Sequence, residues 1–593
     1  MKNFAIYFIA IMSLLSACKL SNSNQHDAKN TELAALMDKY YEERLQLFPL
    51  EATSIGDDRY NDKLYADFTD SYRKKIKAFF GTYLVYVEKF DLKTLNENDK
   101  LSHEIFKHEL EINIEGLGFS DNYMPANQFY GLPISLGQLG SGEGNQPFKT
   151  VKDYNNWLLR MKAFTVWTDS AIVYFKKGLV ANVVLPKSLV VKMLPQLQDM
   201  VSTDVIKHLF YSPISKLPAS FSSADKQKIT ADYTVAIQQN IVPAYQKLHN
   251  FLKNEYLPKA RTTSGYSALP GGKEMYDYLV LYNTSTNKKP EDIYNLGLSE
   301  VKRIKTEMEK VKAEVKFSGD LSAFFEFMKT DKQFTPYKNP QEVLAAFETI
   351  HKTMEPNLKS MFNHVPKTRF EIHQTEAFRA ASASAEYNQG SADGSRPGIF
   401  YVPILDATTF NTTSGMESLF LHEAIPGHHY QISLQQEDTL LPKFRRFSVS
   451  NNAYVEGWAL YCESLGKELG LYTNPYQYMG ALGDEMHRAI RLVVDVAIHT
   501  KGMTREEAIA YMVANEPISE AGATAEIERY MAIPGQALGY KIGAIKIREL
   551  RNKYTQQLGS KFNLAKFHDA ILKDGSMPLN ILEIKMDAWA AKQ

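Results

Sequence analysis

Only two cysteines, Cys18 and Cys462, occur in 593 residues. No disulfide framework can hold such a chain together, so its stability has to come from packing. Net charge is absent as well, because 68 Lys and Arg balance 68 Asp and Glu. That balance offers no basic field to nucleic acid and no long-range steering to a strongly charged substrate. Beyond the first residues no apolar run is long enough to span a bilayer, so the body is expected to be soluble. Internal repeats and heptad arrays are also missing. What is left, 44% apolar and 23% charged residues, is ordinary for a globular protein. The length allows several domains or one large lobed body.

The first residues read as an address. MKNFAIYFIAIMSLLSAC has a positive Lys2, an apolar stretch from Phe4 to Leu15, and Leu15-Ser16-Ala17-Cys18 in the form of a lipobox. The stretch is too short for a comfortable transmembrane helix and suits a signal peptide. The Cys18 thiol is then the acceptor of a diacylglyceryl group, which leaves Cys462 without a partner. Residues 19–30 are polar and rich in Ser and Asn, as in a flexible tether. Lys19 after the cysteine points to the outer membrane of a Gram-negative envelope, facing the periplasm.

Most of the remainder has helical periodicity. Leu33, Leu36, Met37, Tyr40, Tyr41 and Leu45 share a face within Glu32–Leu47. Leu101–Glu115, Val151–Lys177, Ala224–Glu255 and Pro290–Val315 continue the pattern. Pro270-Gly271-Gly272 marks a boundary, dividing an N-terminal helical lobe, 31–268, from a second lobe, 269–593. Arg369–Phe378 and Gly398–Ile404 read as short strands, the second at a sheet edge because of its proline. Ser382–Arg396 between them reads as a mobile loop. An edge strand there would offer a peptide backbone hydrogen bonds. After Gly415 the chain is helical nearly to its end. The expected fold is mostly α, a large two-lobed helical body with a small sheet beside a cleft.

The chemistry concentrates in Met416–Gln431, MESLFLHEAIPGHHYQ. In the zincin pattern His-Glu-x-x-His, positions i and i+4 share a helix face, so two imidazoles reach one zinc. The Glu then serves as base to the activated water. Here i+4 from His422 is Pro426, and the next histidines are His428 and His429. In an unbroken helix i+6 points elsewhere and i+7 lies ~10 Å along the axis. Pro426-Gly427 is where a helix kinks or bulges, and a bulge would return a histidine to His422. His428 is preferred over His429 as ligand, with the other left facing substrate or supporting the site. A third ligand is sought on another helix, Asn451–Gly466. Its Glu456 and Glu463 lie two turns apart on one face among Tyr454, Trp458 and Tyr461. A carboxylate in such apolar company needs a partner. Glu456 is assigned to zinc and Glu463 to a supporting role. Asp484, Arg488, Arg491 and Asp495 form one stripe of a further, apolar helix, with His499 extending it. The stripe reads as a buried ion-pair network, or as an arginine site for a substrate carboxylate.

HEAIPGHHYQ, EGWALYCE, RAIRLVVDVAIH and EIERYMAIPGQALGYKIG occur in the order found in the bacterial family of unknown function 885, which this chain resembles over most of its length. The resemblance implies a zinc peptidase, often a lipoprotein, with a mostly helical body. It is also distantly similar to thimet oligopeptidase, the thermostable carboxypeptidases and angiotensin-converting enzyme, whose helical lobes flank a zinc-floored channel. Those relatives carry a tyrosine in a Gly-rich stretch that steadies the oxyanion, and Tyr540 before Gly543 resembles it, with Tyr530 as the alternative. Gln536 is expected to hold the intervening loop. The expectation is one Zn²⁺ per chain on His422, His428 and Glu456, with Glu423 as base, acting on oligopeptides. The rivals are a peptide binder without catalysis, a hydrolase of a non-peptide amide, and a structural envelope lipoprotein.

Overall fold

Asn30 starts the first helix, its side chain accepting the Leu33 N–H at 2.9 Å. That satisfies one of the donors every helix start leaves free. Helix α1, Thr31–Leu47, buries Leu33, Met37, Tyr40, Tyr41 and Leu45, the stripe read from the sequence. The computed structural model describes residues 29–375, 380, 384–391, 394, 396–410 and 414–593. The lipobox at Cys18 and all but the end of the tether lie outside the described residues.

Helix α2, Val151–Ala181, opens on a Thr150–Asp153 capping box and ends at Asn182 in the left-handed region. The run expected over Ala224–Glu255 is not one regular helix. It forms α3, Ser223–Ala236, a wider π-type turn at Ile237–Ile241, and α4, Val242–Phe251. Pro243 cannot donate to the ladder, and the turn before it widens. Helix α5 is Pro290–Glu314.

Three short strands follow: β1 Phe370–Gln374, β2 Glu386–Asn388 and β3 Gly398–Val402. Their order is β1-β3-β2, with β1 parallel and β2 antiparallel to β3. The strand expected at an edge is therefore the central one. Pro403 falls just after Val402, the last paired residue, so its missing N–H costs the ladder nothing. The segment expected to be a loop contains β2, although residues 382–383, 392–393 and 395 lie outside the described residues.

The C-terminal part is helical: α6 Met416–Glu423, α7 His428–Glu437, α8 Asn452–Glu463, α9 Pro475–Thr500, α10 Glu520–Ala532 and α11 Leu538–Leu558. The protein is thus mostly α with one small sheet. Its largest core joins residues from both sides of position 268, with Tyr40 and Phe106 packed on Phe444. A second core gathers Trp157, Phe164 and Tyr245 between α2 and α4, and a third lies among α5, α9 and α10. Cys462 is buried and free. No helix of the described residues is long and apolar enough to cross a membrane.

A cavity of about 1670 Å³ opens against the sheet, lined by Glu386 and Asn388 of β2 and Ile399 and Tyr401 of β3. Side chains alternate along a strand, so Tyr387 points the other way. The cavity lining takes in neither the histidines nor Glu456.

Helices α8 and α11 touch backbone to backbone. A Cβ on Gly543 would overlap the Ala453 carbonyl oxygen, and one on Gly457 would overlap the Gly543 backbone. This crossing sets α8, which carries Glu456, against α11, which carries Tyr540. Gly543→Ala must push the helices apart, and overpacking of this kind costs about 1–3 kcal/mol. The expected result is a lower thermal midpoint, measured by calorimetry. An unchanged midpoint contradicts the close approach.

Candidate metal centre

The His-Glu pair ends helix α6, and the chain then reverses. Ala424 leaves the helical region, Ile425–Pro426 is cis, and Gly427 begins the return into α7. Gly427 lies so close to the end of α6 that a Cβ would overlap the carbonyl oxygens of His422 and Leu421. Only glycine fits there. Trp458 of α8 pins the turn by donating its indole N–H to the Pro426 carbonyl at 2.9 Å. The expected bulge within one helix is thus a break between two helices. A break lets the second helix start at a new angle, which a bulge within one axis does not.

The break brings His428 to His422. Their rings are perpendicular, with centroids 4.9 Å apart. His422, Glu423 and His428 are the group among the described residues whose candidate ligand atoms all lie within 4.8 Å of one another. Glu456 approaches from α8, its Oε2 3.6 Å from His422 Nε2 and 3.5 Å from His428 Nε2. Ligands at about 2.0–2.1 Å from a tetrahedral zinc lie roughly 3.3 Å from one another. Two imidazole nitrogens and a carboxylate oxygen at these separations fit that ion in both spacing and donor type.

Behind His422 stands Glu463, whose Oε1 is 2.7 Å from Nδ1. This bond leaves Nε2 facing Glu456, the arrangement that orients histidine ligands in metal sites. Arg488 lies 3.6 Å from Glu463 and also pairs with Asp484, which bonds Ser418 of α6. Three carboxylates therefore surround two imidazoles. Burial alone would lower His422, but Glu456 and Glu463 push it up to about 10. Burial would raise Glu456, yet the two histidines hold it well below the usual carboxylate range. Glu423 is raised by burial, with the histidines opposing.

The other residues singled out in the sequence divide into near and far. Tyr540 stacks on His422 with centroids 6.4 Å apart, and the Arg491 guanidinium lies 4.7 Å from the Tyr540 ring. The Tyr530 hydroxyl accepts from Arg491 at 2.9 Å and donates to Glu526 at 2.6 Å, fully buried. Arg491 also pairs with Glu526 at 3.0 Å, so its guanidinium is committed inside the protein. Asp495 accepts from Tyr276 and from the Gly535 N–H, and Gln536 bonds Asn452 and Arg529. These bonds hold the turn before Tyr540. His499 accepts the Tyr266 N–H and meets the Tyr530 carbonyl, away from the cluster. His429 turns toward the sheet, where its Nδ1 meets the Tyr387 hydroxyl. Tyr387 was not foreseen from the sequence, because a three-residue strand is too short to show alternation.

Glu463→Gln replaces the oxygen acceptor by a neutral amide and weakens the hold on His422. Loss of such a supporting carboxylate costs about 10–100-fold in metal affinity. Titration against a chromophoric chelator measures it, and an unchanged affinity contradicts the orienting role.

The family profile described as "Bacterial protein of unknown function (DUF885)" matches residues 49–586. No curated protein matches the chain. Two solved structures are similar in fold over nearly the whole length. "The putative lipoprotein from Colwellia psychrerythraea" is 28% identical, with 95% of this chain and 99% of that one covered and a TM-score of 0.88. "A putative lipoprotein of unknown function" from Shewanella oneidensis is 20% identical, with 93% and 99% covered and a TM-score of 0.72. With motif order, fold and family profile in agreement along the chain, this protein belongs to the bacterial family DUF885.

Proposed function

We propose that the protein is a zinc-dependent metallopeptidase that hydrolyses oligopeptides in the cell envelope. The observation that carries the reading is the approach of Glu456 Oε2 to within 3.6 Å of both His422 Nε2 and His428 Nε2, with the Glu423 carboxylate beside them. These residues would hold one Zn²⁺, with His422 steadied by Glu463. When bound, zinc supplies Lewis acidity, which makes water nucleophilic near neutral pH and polarises a carbonyl.

The rest of the chemistry belongs to the chain. Glu423 takes a proton from the attacking water and passes it to the leaving amine. Burial raises its proton affinity toward the range such a base needs. Tyr540, stacked on His422 and backed by Arg491, is the phenol assigned to steady the oxyanion. Tyr530 supports it at one remove by fixing Arg491. A purely structural zinc site needs no base, and Glu423 stands where a base belongs.

The envelope location rests on the Leu15–Cys18 lipobox and on the lipoprotein descriptions of two solved relatives. A lipid on Cys18 would tether the body to the outer membrane, facing the periplasm, where oligopeptides are available.

The test is Glu423→Gln against wild type on a mixed oligopeptide library, with zinc measured in the same samples. Loss of a general base lowers turnover by about 10²–10⁴-fold. The variant is expected to keep its zinc and lose cleavage. Undiminished cleavage by Glu423→Gln removes the base assignment. Peptide binding without cleavage in zinc-loaded wild type replaces the peptidase by a binder.

A further inference from the structure

His429 follows His428 directly, yet its ring packs between Phe370 of β1 and Tyr387 of β2, with centroids 5.0 and 5.6 Å away. Its Nδ1 lies 3.0 Å from the Tyr387 hydroxyl, with Ser433 Oγ at 3.4 Å. Burial pushes the phenol up to about 12 and pulls the imidazole down to about 4. Both partners are therefore neutral, and the bond joins the imidazole Nδ1 to the phenol oxygen. The sheet makes room for this bond. A Cβ on Gly398 of β3 would overlap the Tyr387 hydroxyl and ring.

The backbone of Tyr387 has a second partner. Tyr387 stands opposite Phe400, between the pairs Glu386–Tyr401 and Asn388–Ile399. The Tyr387 N–H faces the Glu423 carboxylate and lowers its proton affinity. Strand β2 has three residues, and a strand so short gains little from its ladder alone. A side-chain anchor to a helix supplies what the ladder does not. A carboxylate also turns easily about its last torsion, and a fixed N–H donor limits that freedom.

We propose that His429 is a positioning residue whose bond to the Tyr387 hydroxyl holds β2 where the Tyr387 amide orients Glu423. The consequence for turnover rests on the reading of Glu423 as base, while the anchoring of β2 does not. His429 thus acts on the reaction through the strand and not through the metal. Gly398 belongs to the same device, because any side chain there displaces the phenol.

The experiment compares the full chain as wild type, Tyr387→Phe, His429→Phe and His429→Asn. Asparagine keeps an acceptor near the place of Nδ1. Hydrogen–deuterium exchange over residues 384–391 reads the strand without reference to activity. The two Phe variants are expected to exchange ~10-fold faster there, and His429→Asn to stay near wild type. That scale matches the opening of a weakly held segment. Zinc affinity is expected within about twofold of wild type throughout, and kcat to fall ~10-fold in the Phe variants at nearly constant KM, as for a misplaced catalytic group. Unchanged exchange in both Phe variants overturns the anchor. Loss of zinc in His429→Phe overturns it differently, by making His429 a ligand. Faster exchange in a protein that cleaves no peptide keeps the anchor and removes only the peptidase reading.

Discussion

Three carboxylates, Glu423, Glu456 and Glu463, are gathered around the imidazoles of His422 and His428 with one guanidinium, Arg488, alongside. Negative charge removed from water has to be matched by positive charge nearby, or it is expelled or protonated. Everything else at the site follows from that demand. His422 stands between Glu456 and Glu463 because each of its nitrogens answers one of them. In the metal-free protein a proton on His422 meets part of the demand, which is why its affinity for protons is raised. A divalent ion on the same atoms would meet it more fully.

The fold delivers these groups through places where backbone comes unusually close to backbone. Gly427 lets the chain fold back on the end of α6, and Gly457 with Gly543 lets α8 and α11 touch. A helix alone spaces ligands by its own pitch. Here the break at Ala424–Gly427 replaces that spacing, and α8 supplies two carboxylates two turns apart, Glu456 facing both imidazoles and Glu463 behind His422. The charged stripe of α9 then locks the surroundings. Asp484 and Arg488 reach α6 and α8, while Arg491 and Asp495 secure the Tyr530 and Tyr540 region.

Much of this was legible in the sequence where a period carries the information. Helix α1, helix α2, and the shared face of Glu456 and Glu463 all follow from the 3.6-residue repeat. What the repeat does not encode was harder. Which histidine returns to His422 depends on the geometry of a four-residue turn, so His428 and His429 differ by contacts and not by pattern. The central place of β3 depends on β2, a strand of three residues with no alternation to read. Pro403 misled because a proline one residue past a strand looks, in sequence, like a proline within it. The π-type turn before Pro243 was likewise hidden in an unbroken apolar period.

The most direct measurement is anomalous X-ray diffraction at the zinc edge on crystals of the protein grown with zinc. The account predicts one peak per chain, about 2.0–2.1 Å from Nε2 of His422, Nε2 of His428 and Oε2 of Glu456. Glu463 is predicted to remain on Nδ1 of His422, and His429 on Tyr387. A peak coordinated by His429, or no ordered zinc at these residues, would contradict it.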